Sequence, residues 1–204
     1  MNRSEFIKNL MALAAFCPLA GLAESASKEA RKGTRSMVIY FSHAGENYGV
    51  GNVKVGNTAV VAGMIAKKLG IGIWEIKEED PYPIDYKATG DRAQSEHDSN
   101  VRPKFKGPPP DLSDVDTIYL GYPLWCYDCP MIIYSFLDIV NLEGKTIVPF
   151  CTHEGTGLGN TVKYLAAAYP KAKVLPEGFE IYGHVAQLER EKTAKKVDTW
   201  IAHG

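Results

Sequence analysis

The chain has 204 residues, of which 45% are hydrophobic, and a formal net charge of −1. That length and content suit one ordinary globular domain, and the near-neutral balance, without a long Lys/Arg run, gives no electrostatic case for nucleic acid or a membrane surface as partner. The cysteines, Cys17, Cys126, Cys129 and Cys151, are too few and too unevenly spaced for a disulfide framework or a four-ligand zinc site, so no metal is expected.

The first 23 residues read as a charged start (Arg3, Glu5, Lys8), a modest apolar stretch and a small-residue region around Gly21-Leu22-Ala23. The apolar stretch is interrupted by Pro18 and is shorter than the roughly 20 residues a bilayer requires, so removal is expected rather than anchoring, and no stable membrane span. Phe6 and Lys8 resemble the corresponding residues of a twin-arginine export signal, but Ser4 stands where the second arginine belongs. A general secretory signal fits the same segment. The expectation is an exported, periplasmic protein, with a cytoplasmic chain as the alternative. Residues 24–36, rich in charge and serine and without apolar periodicity, read as a flexible tether to a folded domain over 37–204.

From there strand-like and helix-like segments alternate, which predicts an α/β fold of three layers, a parallel sheet covered on both faces by helices. Met37 to Phe41 is unbroken apolar sequence, suited to a strand buried on both sides. A helix follows from Asn57, with Val60, Val61, Met64, Ile65 and Leu69 at helical spacing and Gly70 as its stop. Ile71 to Ile76 is the second strand, and a polar helix is expected over Tyr86 to His97. Lys106-Gly107-Pro108-Pro109-Pro110 is a stiff surface connection. Thr117 to Gly121 is the third strand, and Pro130 to Val140 a helix with proline in its first turn. Thr146 to Phe150 is the fourth strand, where Pro149 signals a bulge or an end. A helix over Thr161 to Tyr169, a strand ending at Phe179 to Tyr182 and a final helix over Val185 to Ile201 complete the chain. In that helix Leu188, Val197 and Ile201 are expected to face the sheet.

Ligands of open parallel sheets bind beyond the carboxyl ends of the strands. Three unusual loops leave strands there. The first runs from Ser42 through Gly56-Asn57-Thr58 into a helix start, where unpaired N–H groups and hydroxyl or amide side chains favour an anion. The second, Tyr122 to Pro130, supplies aromatic rings, and the third, Cys151 to Asn160, glycines and polar groups. Together they suit a ligand with a phosphate, a flexible linker and a flat heteroaromatic ring. Gly51 to Thr58 matches the glycine spacing of a nucleoside-triphosphate loop, but Asn57 replaces the lysine, which argues against phosphoryl transfer. No G-x-G-x-x-G follows the first strand.

The run Tyr40-Phe41-Ser42-His43-Ala44-Gly45-Glu46-Asn47-Tyr48 through Gly56-Asn57-Thr58, then Gly121-Tyr122-Pro123-Leu124-Trp125, then Pro149 to Gly155, resembles the flavodoxin-like superfamily, in particular bacterial members with a long first loop. The resemblance implies a doubly wound five-stranded sheet in the order 2-1-3-4-5 and non-covalently bound FMN. It places Ser42, His43, Asn57 and Thr58 around the phosphate, and Pro123, Leu124, Trp125 and Cys126 beside the isoalloxazine. Thr152, His153 and Gly155 fall along its pyrimidine edge, with His153 the one catalytic candidate, as a donor stabilising the reduced ring.

The implied function is an FMN-dependent oxidoreductase of the NAD(P)H:acceptor type, passing electrons or a hydride equivalent to a small acceptor such as a quinone. The alternative is a flavodoxin-type electron-transfer protein whose partner is another redox protein. A steering charge is missing for the second. Cys126-Tyr127-Asp128 also lacks the glycine that lets a peptide beside the flavin turn over. Cys126-x-x-Cys129 has the spacing of a redox dithiol, and Cys129, just ahead of a helix, is placed for a lowered thiol pKa.

Overall fold

The computed structural model describes residues 35–203. The expected export signal and all but the last two residues of the expected tether lie outside them. Of those two, Arg35 already pairs with Asp114 at 2.6 Å, and Ser36 opens the first strand.

In chain order the elements are β1 (Ser36–Tyr40), β2 (Gly45–Asn47), β3 (Gly51–Val53), α1 (Asn57–Leu69), β4 (Gly72–Glu75), α2 (Tyr86–Asp98) and β5 (Thr117–Pro123). They continue with α3 (Met131–Leu137), β6 (Thr146–His153), α4 (Thr161–Ala168), β7 (Lys173–Val174), β8 (Phe179–Tyr182), α5 (Gly183–Leu188) and α6 (Arg190–His203). The main sheet runs β4-β1-β5-β6, all parallel, with β7 and β8 both pairing the far side of β6. That is the expected order, with the fifth strand in two pieces.

The two-residue period of the strands sorts their side chains into two cores. Ile39, Phe41, Ile118, Leu120, Tyr122 and Ile147 meet Ile132, Ile133 and Phe136 of α3 and Leu165 of α4 on one face. Val38, Tyr40, Phe150 and Ile181 meet Val61 and Ile65 of α1, Val185 of α5 and Val197 of α6 on the other. The layering follows from this alternation, because each strand has apolar side chains on both sides and needs a helix on each.

Several boundaries differ from the sequence reading. β5 runs on to Pro123 and β6 to His153, because Tyr122 and Pro123 pair with Cys151 and Thr152. Residues expected at the start of two loops are therefore strand ends, rigidly held. Pro149 neither bulges nor ends β6. Its cost falls on the neighbour: Ile147 C=O accepts from Leu175 N at 2.9 Å, and strand alternation turns Pro149 toward the same side without an N–H to offer. There the fifth strand breaks between Val174 and Phe179. The last helix is also broken, at Glu189 (φ −119°, ψ 58°), so Leu188 stands 70% exposed instead of facing the sheet, while Val197 is buried. α3 stops at Leu137 rather than Val140, with the Asp138 carboxylate drawn to Arg102 and the Tyr169 hydroxyl.

The long first loop is not a plain spacer. It folds as an antiparallel hairpin of β2 and β3, tied to the start of α2 by Glu46 N donating to Ile84 O and by Tyr86 N donating to Glu46 Oε2. α2 is helical despite its polar sequence because Asp85 caps it, accepting from Ala88 N at 2.7 Å. Its Arg92 lies over the Tyr82 ring and pairs with Glu96, which also accepts from the Tyr82 hydroxyl.

Candidate functional site

A cavity of about 350 Å³ opens beyond the carboxyl ends of β1, β5 and β6. Asn57 and Gly183 bound one end, Pro123, Leu124 and Trp125 form one wall, and Thr152, His153 and Glu154 another. Asn47 and Tyr48 of the hairpin and Tyr86 of α2 complete it.

The Asn57 end is built for an anion. α1 begins there with no acidic residue in its first turn. Ser42 Oγ accepts from Ala59 N at 3.0 Å, which leaves the Asn57 and Thr58 N–H groups without a partner among the described residues. Those groups carry the positive end of the helix dipole. The Ser42 hydroxyl keeps its own proton to donate. Thr58 Oγ1 sits 2.8 Å from Thr152 Oγ1, linking the helix start to the end of β6. Asn57 is buried, and its Oδ1 has no partner among the described residues. A ligand bearing an anion and a hydroxyl satisfies both the free N–H groups and this acceptor. No lysine or arginine lines the cavity, so the anion is held by dipoles and hydrogen bonds. Its one carboxylate, Glu154, is already committed to His184, through N at 2.8 Å and Nδ1 at 2.7 Å.

The opposite end is aromatic. Trp125 packs edge-on against Phe41 and Tyr82, with centroids 5.6 and 5.0 Å away, which fixes its ring. Tyr48 and Tyr86, 6.1 Å apart, stand more than half exposed at the rim. After Trp125 the chain reverses through Cys126 (φ 51°) and Tyr127 (φ 60°). Trp125 N and Asp128 N each donate to the other residue's carbonyl, at 2.9 and 2.8 Å. This is the two-residue turn with both central residues left-handed, for which Asn and Gly are the comfortable choices. Cys and Tyr hold it under strain.

Of the residues singled out from sequence, Asn57, Pro123, Leu124, Trp125, Thr152 and His153 line the cavity. Ser42 and Thr58 stand behind its anionic end. His43 does not surround that end: its ring turns away, packs against Tyr82 and Trp125, and lines a neighbouring hollow together with Cys126. His153 lines the wall, but its ring nitrogens are occupied. Nδ1 accepts from Gly155 N at 2.8 Å, which makes Nε2 the protonated nitrogen, and that one contacts the Glu180 carboxylate. The ring thus has no N–H left for a flavin edge. It anchors the left-handed turn at Gly155 (φ 132°) to β8. His153→Leu is expected to lower stability by about 1–3 kcal/mol, the cost of stranding the Gly155 N–H, read from the denaturant midpoint; an unchanged midpoint would remove this anchoring role.

The dithiol reading meets a further obstacle. Cys126, Cys129 and Cys151 are free thiols, and burial pushes Cys129 well above the ordinary thiol range, with Asp128 adding to it. Burial raises Cys126 as well. The short helix after Cys129 does not offset this, since the thiol is sealed in the core. A raised pKa leaves less thiolate at a given pH, so at pH 8 Cys129 should resist a disulfide reagent until the protein is denatured, and Cys126 should react slowly. Rapid native labelling of both would overturn this.

Asn47, Tyr48, Tyr86, Glu154 and Gly183 also line the cavity, and the sequence reading gave none of them a role. Asn47 and Tyr48 lie within the run that carries the resemblance, so a signal existed. Tyr86 and Gly183 carry none, since their place depends on how α2 and α5 pack.

An open parallel sheet with helices on both faces, and with an anion end and an aromatic end in one cavity past its strands, defines a flavodoxin-like α/β protein. The chain belongs to the flavodoxin family, whose model, described as flavodoxin, matches residues 35–201. No curated protein matches it. A protein provisionally named a flavoprotein, from Bacteroides uniformis, is similar at 27% identity with a TM-score of 0.67, covering 84% of this chain and 99% of its own. A second of that description, from Bacteroides eggerthii, shows 26% identity and a TM-score of 0.62 over 79% of this chain and 99% of its own. A flavoprotein from Lactobacillus acidophilus, solved in complex with FMN, shares the fold at 20% identity and a TM-score of 0.59, over 78% of this chain and 98% of its own.

Proposed function

We propose that the chain is an FMN-dependent oxidoreductase that hands reducing equivalents to a small acceptor such as a quinone, with NAD(P)H as the donor class. The observation that carries this is one cavity joining the two unpaired N–H groups of α1 to the fixed ring of Trp125. FMN has the matching parts, a phosphate, a hydroxylated chain and a flat ring, and the Lactobacillus relative of the same fold was solved with it. When bound, the flavin supplies the redox chemistry. The chain's own residues do the rest: the start of α1, Ser42 and Asn57 hold the phosphate end, Pro123, Leu124 and Trp125 flank the ring, and Tyr48 and Tyr86 narrow its access to water.

An electron carrier acting with a redox protein is the second reading. The formal charge of −1 offers no field to steer a charged partner, so the small acceptor is preferred. We also propose, from the sequence of residues 1–23, that the protein is exported, to be checked by cell fractionation. The decisive experiment is the visible spectrum of the purified protein, followed by anaerobic NAD(P)H oxidation with and without a quinone. A flavin spectrum and quinone-dependent turnover are expected; a colourless protein that takes up no added FMN sinks the reading.

A further inference from the structure

The anion end of the cavity carries one group that does not belong beside an anion. Glu154 is the only carboxylate among the residues lining that cavity, and none of them is a lysine or arginine. A Cβ at Gly183 would lie 2.3 Å from Asn57 Nδ2 and 3.0 Å from Glu154 Oε1. The carboxylate and the first residue of α1 therefore converge over the same glycine. The hairpin tip also packs against it: a Cβ at Gly49 would stand 3.7 Å from Glu154 Cδ. With its side chain 21% exposed, Glu154 is partly shielded from water. A phosphate at the unpaired N–H groups of α1 would feel that negative charge with reduced screening.

The compensating group is His184. Its N donates to Glu154 Oε1 at 2.8 Å, and its Nδ1 lies 2.7 Å from Oε2. An ionised carboxylate only accepts, so Nδ1 carries the proton of the neutral ring and Nε2 the lone pair. Nε2 has no partner among the described residues, and the side chain is 41% exposed. A second proton can enter there from solvent while both bonds to Glu154 stay in place. The neighbouring groups do not compete for it. Tyr182 of β8 sets its ring 5.4 Å from the imidazole, and Glu180 of the same strand is turned to His153. Gln187 and Arg190 bond each other on the next turn, and Lys54 stands exposed beside Val55, whose carbonyl accepts from Gln187.

We propose that the anion end is completed by a proton: binding of the FMN phosphate draws one onto His184 Nε2, and the imidazolium offsets the Glu154 carboxylate. The inference rests on the FMN reading for its ligand. The phosphate arrives as the dianion, the proton comes from solvent, and no bond between heavy atoms changes. The sign follows from linkage, since a group that holds its proton more firmly in the complex makes binding tighter toward low pH and weaker as pH rises.

The test titrates the full chain, freed of flavin, with FMN from pH 7 to 8.5, where the free phosphate is mostly dianionic. Affinity, read from flavin fluorescence, should fall about threefold over that range. His184→Gln keeps a neutral donor and cannot take up the proton. Glu154→Gln keeps an acceptor for the His184 N–H and removes the repulsion. Both variants should lose the parent's slope, and Glu154→Gln should bind FMN more tightly than the parent at pH 8.5. The ionisation of the FMN phosphate itself enters all three proteins alike and cancels in the comparison. The His184 ring is followed directly by NMR at pH 7.5, its signal assigned by its loss in His184→Gln, and FMN should raise its protonated fraction.

The same slope in the parent and His184→Gln overturns the proposal, as does an imidazole whose protonation FMN leaves unchanged. Should the protein bind no FMN, the same signal is followed as inorganic phosphate is added. A rise in protonation then keeps the proton-linked anion site and sinks only the flavin reading, whereas no response sinks both.

Discussion

Replacing Gly56 with alanine is expected to cost about 1–3 kcal/mol of stability and to strip the protein of FMN. Gly56 precedes α1 in extended conformation (φ −64°, ψ 156°), so its backbone angles suit any residue. The constraint is space. A Cβ here would overlap the His43 carbonyl and Ser42 Oγ, the atoms that bring the first loop down onto the helix start. Relief requires the loop to lift, and lifting it separates Ser42 from Ala59 N and opens the anion end. Gly63, exposed in the middle of the same helix with nothing within 4 Å of its Cβ, is the control. Gly63→Ala should stabilise by about 0.5–1 kcal/mol through helix propensity alone. Thermal unfolding separates the two variants, and fluorescence titration with FMN reads the site. Equal FMN affinity in Gly56→Ala and the parent would show that the close approach of loop and helix is not what holds the ligand.

Cys126→Gly is expected to pull apart the two one-electron potentials of the bound flavin. In the parent, the turn from Trp125 to Asp128 is closed by two backbone hydrogen bonds, and the Tyr127 carbonyl accepts from Asn160 N at 2.7 Å. Only the peptide between Cys126 and Tyr127 is free to turn over. Doing so would convert the turn to the form whose first central residue is glycine's preserve. Cys126 already sits at φ 51°, and the new ψ would carry it into a region that costs a side chain about 1–3 kcal/mol. Cysteine therefore locks the peptide in one orientation, whereas glycine would free it to turn over beside a bound flavin. Anaerobic titration of both proteins measures the separation. No change on substitution would mean that this peptide does not face the flavin.

The same loop shows what a sequence does and does not disclose. Alternating apolar runs at Met37 to Phe41 and Thr117 to Gly121, with Gly70 closing α1, were legible because they follow from local periodicity and capping. The extension of β5 through Pro123 was not, since proline argues for a loop until Thr152 of the neighbouring strand is seen opposite it. His153 is similar. Its residue type invites a catalytic role, but its partners, Gly155 and Glu180, are set by a turn and by a strand 27 positions away. That Asn57, Trp125 and Thr152 lie together around one cavity was legible because strand ends and a helix start fix where they lie. His43, two residues past β1, was misplaced because its ring follows the aromatic cluster of Tyr82 and Trp125 rather than the backbone's course toward α1.

The broken fifth strand bears on the protein's behaviour in a crowd. A long, continuous outer strand would offer a row of unpaired N–H and C=O groups to any other chain able to add a strand. Here that border is divided into pieces of two and four residues, and a Cβ at Gly178 between them would overlap the Pro149 carbonyl and crowd Leu158. The irregular segment thus fills the gap that Pro149 leaves and interrupts the template. One imino acid inside β6 blunts an edge it does not belong to, and Pro149→Val is expected to restore the missing donor at the expense of a stickier flank, seen as a greater tendency to self-associate on partial unfolding.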